Sequence, residues 1–181
     1  MIIEYKRIER KSLSWILRCP RKCDAEELSK LRVKIDGEAE NLDRESGEAL
    51  LTTEDFEKVI YEDNSSETTL FLVAEVNGEI VGFTRCEGSK LSRFKHKAEF
   101  GICILKKYWG YGIGNALMKN ILEQMDHVGI KKISLNVVQT NIKAIELYKR
   151  YGFVEEGLLV NDRIHKDGNY YNTIIMGRVL K

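Results

Sequence analysis

The spacing of apolar residues along the chain changes repeatedly, and each change marks an element boundary. In residues 12–19 (SLSWILRC) Leu13, Trp15 and Leu17 alternate with their neighbours, the two-residue period of a strand. Asp24 then opens Asp-Ala-Glu-Glu with Glu27 three residues on. That arrangement predicts a capping box, followed by the helical stripe Ala25, Leu28, Leu31 and Ile35. A second, shorter helix is predicted from Thr53 through Phe56 to Ile60, ended by Asn64-Ser65-Ser66. Residues 69–76 and 79–86 are rich in β-branched and aromatic side chains. Only Asn77-Gly78 separates them, a dipeptide suited to the positive φ angles of a tight hairpin turn.

A polar loop over residues 88–94 leads to a strand over residues 98–105, which runs into Trp109-Gly-Tyr-Gly-Ile-Gly114. Leu117, Ile121, Met125 and Val128 next recur with helical period, and Gly129 is placed to stop the helix. Lys132–Val138 reads as a strand. Asn141 caps a helix carrying Ala144, Ile145 and Tyr148, which Gly152 closes. Residues 153–160 and Tyr170–Val179 form a last pair of strands around Lys166-Asp167-Gly168. The expected order is strand, two helices, three strands, helix, strand, helix, two strands. This is a mixed α/β (α+β) fold with a mostly antiparallel central sheet flanked by helices.

Composition narrows the function. The 181 residues carry 29 Lys and Arg against 28 Asp and Glu, so the basic excess that phosphate neutralisation by a nucleic-acid binder demands is missing. The basic run over residues 90–97 (KLSRFKHK) reads as a solvated loop. No stretch approaches the apolar length of a membrane span or a signal peptide, so a cytoplasmic location without membrane partners is expected. Cys19 and Cys23 have no second Cys/His pair at ligand spacing, and His96, His127 and His165 are scattered. No metal site is expected, and the cysteines read as buried thiols. With no repeat, low-complexity tract or shift in composition, residues 1–181 read as a single domain.

The chemistry-bearing feature is Gly110-x-Gly112-x-Gly114 between a strand and a helix. Backbone N–H groups and the positive helix end can hold an anion there, and glycine lets phosphate oxygens approach without a Cβ in the way. The P-loop pattern fails because Asn115-Ala116 follows Gly114. The dinucleotide fingerprint fails because Asn115 or Leu117 stands where its third glycine belongs. A tight turn with no ligand satisfies the same three glycines.

The surrounding sequence resembles the GNAT superfamily of N-acetyltransferases. Glu99-Phe-Gly-Ile-Cys-Ile-Leu-Lys-Lys-Tyr-Trp-Gly-Tyr-Gly-Ile-Gly-Asn-Ala-Leu is similar to that family's acetyl-CoA motif. Trp109 stands in place of the usual basic or amide residue, as in the subgroup resembling ribosomal-protein N-terminal acetyltransferases. The stretch from Asn141 to Gly157 matches the family pattern N-x-x-A-I-x-L-Y-x-x-x-G-F-x-x-E-G at every specified position.

The resemblance implies a GNAT-like fold and direct transfer of an acetyl group from acetyl-CoA to a primary amine on a small molecule or peptide. It implies that backbone groups of Ile102, Cys103 and Ile104 pair with the pantetheine arm. Gly110, Tyr111, Gly112, Ile113, Gly114 and Asn115 would surround the diphosphate, with Asn141 as a further cofactor contact. Tyr148 matches the tyrosine that protonates the departing thiolate, and Glu99 matches an acidic position suited to a general base. Bland readings stand beside these: Asn141 as a helix cap only, Tyr148 as a core aromatic, Glu99 as a solvated strand residue. Cys103 has no activating partner at motif spacing, which argues against an acyl-enzyme. In some N-terminal acetyltransferases the base lies five residues before the capping Asn. Here that position is Asn136, which counts against a protein N-terminus as acceptor. Acceptor specificity is expected from residues 24–62 and the connection over residues 160–171, and a homodimer is compatible with the fold. The rival reading is a GNAT-fold protein that senses acyl-CoA without turnover.

Overall fold

The computed structural model describes residues 1–10 and 12–180. Among these, eight strands form one sheet: β1 (Lys6–Arg10), β2 (Leu13–Arg18), β3 (Leu70–Val76), β4 (Glu79–Gly88), β5 (Lys97–Ile104), β6 (Lys132–Val138), β7 (Val154–Ile164) and β8 (Tyr170–Val179). Their spatial order is β1-β2-β3-β4-β5-β6-β8-β7. Neighbours are antiparallel except β5 and β6, which run parallel and are joined across a face of the sheet by helix α3 (Ile113–His127). Helices α1 (Ala25–Glu38) and α2 (Thr53–Ser65) follow β2, and α4 (Ile142–Arg150) follows β6.

Residue parity assigns the two faces of the sheet. Ile102 and Ile104 reach Gly114 of α3, whereas Cys103, between them, lies in the electrostatic reach of Arg32 and Asp36 of α1. Helices α1 and α2 therefore cover one face and α3 the other. Helix α4 joins α3, since the Tyr151 hydroxyl, at its C-terminal end, donates to the Asn115 carbonyl at 3.1 Å and Tyr148 packs edge-on against Phe100. The interior is built from Leu17, Leu28, Ile35, Phe71, Leu117, Met118 and Phe153, all sealed from solvent.

The structure departs from the sequence reading in four places. Strand β1 was not anticipated: KRIER carries one apolar residue, and as an edge strand it needs only Ile8 to face inward. Strand β7 continues to Ile164 because a bulge between Leu159 and Arg163 absorbs a change of register that apolar alternation does not reveal. The capping box expected at Asp24 for α1 does not form. Asp24 takes Arg18 and the Arg21 N–H instead, and Glu27 accepts the Ile80 N–H at 2.6 Å. A buried arginine outcompetes a helix end for a carboxylate because an incompletely compensated buried charge costs more than an uncapped amide. The cysteines are free thiols, but Cys23 is exposed rather than buried.

Candidate active site

Strand β5 is bonded to β4 along its whole length, from Ala98 opposite Gly88 to Ile104 opposite Gly82. On its other edge it meets β6 only at Lys97, Ala98 and Glu99, opposite Lys132, Ile133 and Ser134. Beyond Glu99 the two strands diverge, although β5 continues to Ile104 and β6 to Val138. The sheet is thus split by a wedge whose apex is the Glu99–Ser134 pair.

Strand geometry decides which peptide groups face the wedge. Leu105 donates to the Val81 carbonyl at 3.0 Å, so the bonded pairs of the β4–β5 ladder fall at alternate positions, including Phe83 with Cys103. The peptide groups of Ile102 and Ile104 accordingly point into the split, and those of Cys103 point to β4. Of the three residues expected to pair with a pantetheine arm, two are available and Cys103 is not. The Ile104 carbonyl already accepts the Trp109 indole N–H at 2.8 Å, which leaves its N–H for a ligand. Burial raises the Cys103 thiol pKa well above its ordinary value, with Asp36 acting in the same direction, so it stays neutral and poorly nucleophilic.

At the open end of the wedge the chain turns into α3. Gly110 and Gly112 have φ of 81° and 93°, in the left-handed region that side chains with a Cβ avoid. Gly112 is the N-cap of α3 and no side chain caps it, so the first amides of the helix, from Ile113, Gly114 and Asn115, project without an intrahelical partner. A Cβ on Gly114 would lie 3.2 Å from the Ile104 side chain, which explains the third glycine as a packing requirement. Tyr111 is half-buried in the same turn. The Asn141 side chain accepts the Ala144 N–H at 3.4 Å and thus caps α4.

Near the apex, the Tyr148 ring packs against Phe100 and Phe153, with centroids 6.2 and 6.0 Å away. The residue is 8% exposed. Burial pushes its phenol up to about 12, and no described residue bonds to the hydroxyl. Glu99 precedes Phe100 and so projects to the opposite face. It is exposed and lines an open cleft of about 510 Å³ with Ser134, Glu62, Glu87, Lys90, Phe94 and Lys97. Asp63, buried in the wall of this cleft, is held by Arg85 through two bonds of 2.6 and 2.9 Å. A group lodged in the wedge can therefore be approached from one face by a phenol and from the other by a carboxylate. Asn136 lies exposed on β6, two residues beyond Ser134 and on the same face.

Of the residues lining this cleft, only Glu62 falls within residues 24–62 and 160–171, where acceptor determinants are expected from the sequence. Arg85 and Glu87 on β4 carry no sequence signal, and Lys90 and Lys97 belong to the run that the sequence assigns to a solvated loop. Their signal was the basic run over residues 90–97, but only the turn back into β5 brings it over Glu99. Among the described residues no group of His, Cys, Asp and Glu is arranged to hold a metal ion, and no helix is long and apolar enough to cross a membrane.

A split sheet with an uncapped glycine turn at its mouth is the arrangement of a coenzyme A-dependent acyltransferase fold, and comparison with known proteins agrees. Residues 37–153 match the acetyltransferase (GNAT) family. An L-amino acid N-acetyltransferase of Escherichia coli is 34% identical over 109 residues, 60% of this chain and 67% of that protein. The chain spans 67%, 39% and 58% of the length of three curated relatives it matches. A GNAT-family acetyltransferase from Streptococcus pneumoniae superimposes with a TM-score of 0.88 at 28% identity, covering 92% of this chain and 99% of that one. A Salmonella typhimurium protein solved with its cofactor acetyl-CoA superimposes with a TM-score of 0.79 at 16% identity, covering 91% and 93%, a likeness of fold. The chain belongs to the GNAT family and is an enzyme of the N-acetyltransferase class.

Proposed function

We propose that the protein moves an acetyl group from acetyl-CoA directly to the primary amine of a small acceptor resembling an amino acid. The observation that carries this reading is the wedge between β5 and β6, flanked by the orphaned Tyr148 phenol on one face and by Glu99 on the other. The residues present fit the coenzyme. The Ile102 peptide groups and the Ile104 N–H can take its pantetheine amides as an added strand would. The uncapped amides of Ile113, Gly114 and Asn115, with Gly110, Tyr111 and Gly112, can take its diphosphate. Asn141 stands at the start of α4 as a further contact. When bound, the thioester supplies an electrophilic acetyl carbonyl and a thiolate leaving group.

The chain's own residues supply the proton transfers. An amine arrives protonated at neutral pH, since an α-amine beside a free carboxylate holds its proton more tightly than a peptide N-terminus of pKa about 8, and must lose that proton to become a nucleophile. Glu99, exposed at the apex, accepts it directly or through one water. Tyr148, protonated throughout the neutral range, presents its hydroxyl as a donor on the opposite side. Direct transfer is supported by the thiol of Cys103, which burial, reinforced by Asp36, holds neutral and poorly nucleophilic.

The acceptor class is supported by the charges of the cleft. Within the cleft Glu87 accepts from Arg85 and Glu62 pairs with Lys90 at 3.5 Å, which leaves Glu99 for an ammonium group and Lys97 for a carboxylate on the same small molecule. Lys97 also stands 5.5 Å over the Phe94 ring, which orders it at the rim. The name of the E. coli relative points the same way.

The test is an acceptor panel of amino acids, polyamines, aminoglycosides and peptides read by release of free thiol, with Glu99→Gln alongside. Amino acids should turn over best. Glu99→Gln should cut kcat/KM about 10²–10⁴-fold at neutral pH, the loss shrinking as pH rises towards the amine's own pKa and free amine becomes abundant. Turnover confined to polyamines or peptides, or a Gln variant with wild-type rates at pH 7, would refute the acceptor class or the base respectively.

A further inference from the structure

A second concavity lies on the far side of the α3 turn, between β1 and α3, with a volume of about 320 Å³. Alternation along β1 turns Lys6, Ile8 and Arg10 to one face, and all three line this groove opposite Gly112, Lys119 and Asn120 of the turn and helix. Arg10 lies directly on the turn, its Nη1 standing 2.6 Å from where a Cβ on Gly112 would be. No carboxylate among the described residues is paired with Arg10. Lys6 Nζ donates to Asn120 Oδ1 at 2.7 Å, and Lys119 meets Glu123, the one carboxylate of the groove, only at 3.8 Å. Cationic charge is therefore in excess beside the uncapped amides of α3.

An independent feature points to a ligand. Trp15, opposite Ile8 across the β1–β2 ladder, lines the same groove, is 1% exposed, and its indole N–H is buried with no acceptor among the described residues. A buried donor left unpaired is destabilising, and native structures retain few of them without a reason. A phosphate oxygen satisfies all the demands at once. It accepts from the indole, pairs with a guanidinium that already touches the helix start, and neutralises the excess of Lys6 and Lys119.

We propose that the groove between β1 and α3 is a phosphate site adjoining the turn assigned to the coenzyme's diphosphate. The chemistry is shared by two sources, the 3′-phosphate on the coenzyme's adenosine and a free phosphate. Only the first of these rests on the acyl-transfer reading.

The test is titration of the full chain with inorganic phosphate, coenzyme A and dephospho-coenzyme A. Binding is followed by calorimetry and by the indole N–H resonance of Trp15, assigned with the help of Trp109→Phe. Inorganic phosphate should shift the Trp15 resonance, Arg10→Ala should abolish the shift, and Arg10→Lys should restore part of it. If the 3′-phosphate is the occupant, Arg10→Ala weakens coenzyme A roughly tenfold or more and leaves dephospho-coenzyme A unchanged. If a free phosphate is the occupant, both coenzymes bind alike and neither displaces phosphate from Trp15. A Trp15 resonance indifferent to phosphate and to coenzyme A, with both coenzymes binding Arg10→Ala as they bind wild type, overturns the proposal. A wild-type protein that binds neither coenzyme removes the acyl-transfer reading, while the phosphate titration still decides the groove.

Discussion

Tyr148→Phe is expected to lower kcat about 10²–10⁴-fold, the usual weight of a positioned proton donor, with the affinity for acetyl-CoA nearly unchanged. The substitution deletes one oxygen. The ring keeps its edge contact with Phe100 and its tilted contact with Phe153, so the packing of α4 against β5 survives. The hydroxyl bonds to no described residue, so its removal leaves no partner stranded, and stability should hold or rise slightly. Because burial pushes the phenol up to about 12, it remains a donor well into the alkaline range. The wild-type rate should therefore show no alkaline decline from this group below pH 10. Steady-state kinetics together with direct measurement of coenzyme binding check the result. A Phe variant that turns over at the wild-type rate would reduce Tyr148 to a core aromatic. A wild type that binds acetyl-CoA but transfers to no amine would favour the sensor reading.

Asp24→Ala should produce the largest loss of stability, about 3–5 kcal/mol, the cost of stripping one partner from a buried ion pair. Arg18 gives Asp24 two bonds of 2.6 and 3.0 Å and Glu75 a third of 2.8 Å, with side-chain exposures of 10% for Arg18 and 9% for Asp24. The cluster ties the end of β2 to the start of α1 and to β3. Without Asp24 the guanidinium stays buried with half its compensation gone. For a chain of this size the melting temperature should fall by roughly 6–20 °C. A double variant, Arg18→Met with Asp24→Ala, should recover part of the loss because no charge is then buried unpaired. A single variant within 1 kcal/mol of wild type in chemical denaturation would refute the account.

The same cluster sets an acid limit. Burial raises the Asp24 carboxyl, but the Arg18 guanidinium and the Arg21 N–H outweigh it and hold it below the usual carboxylate range. A depressed folded-state pKa contributes stability that is complete above the unfolded value of about 4 and is lost as pH falls through the folded one. The wild type should accordingly weaken below about pH 4, and Asp24→Ala should show a flatter acid limb.

The acid and base positions differ in how far sequence could foresee their surroundings. Tyr148 could be picked out because the stretch from Asn141 to Gly157 resembles the family pattern that carries a tyrosine there, whereas its spacing from Ile145 alone implies only a core aromatic. That its phenol bonds to no described residue and that burial lifts its pKa depend on Phe100 and Phe153, which reach it from β5 and from the segment after α4. Glu99 could be named from the acidic position it matches in the family resemblance. Its place at the apex of a wedge could not, because the divergence of β5 from β6 is a relation between two strands separated by a helix. Asp24 departs from its expected role for a related reason. Its neighbours in sequence describe a helix start, whereas Arg18 and Glu75 decide where its charge goes.

What the sequence alone determined is local. The period of its apolar residues assigned seven of the eight strands and all four helices, because facing one side of a strand or helix is a property of nearest neighbours. Its glycines marked the turn, because positive φ excludes side chains at single positions. Tertiary structure alone decided which peptide groups of β5 face the wedge, that Cys103 is turned away from it, and that Lys90, Lys97 and Glu99 share a cleft. It also decided that Arg10 rests on the helix start. Each of these is set by register, strand divergence or approach between elements far apart in the chain, and residue order carries no direct record of such distances.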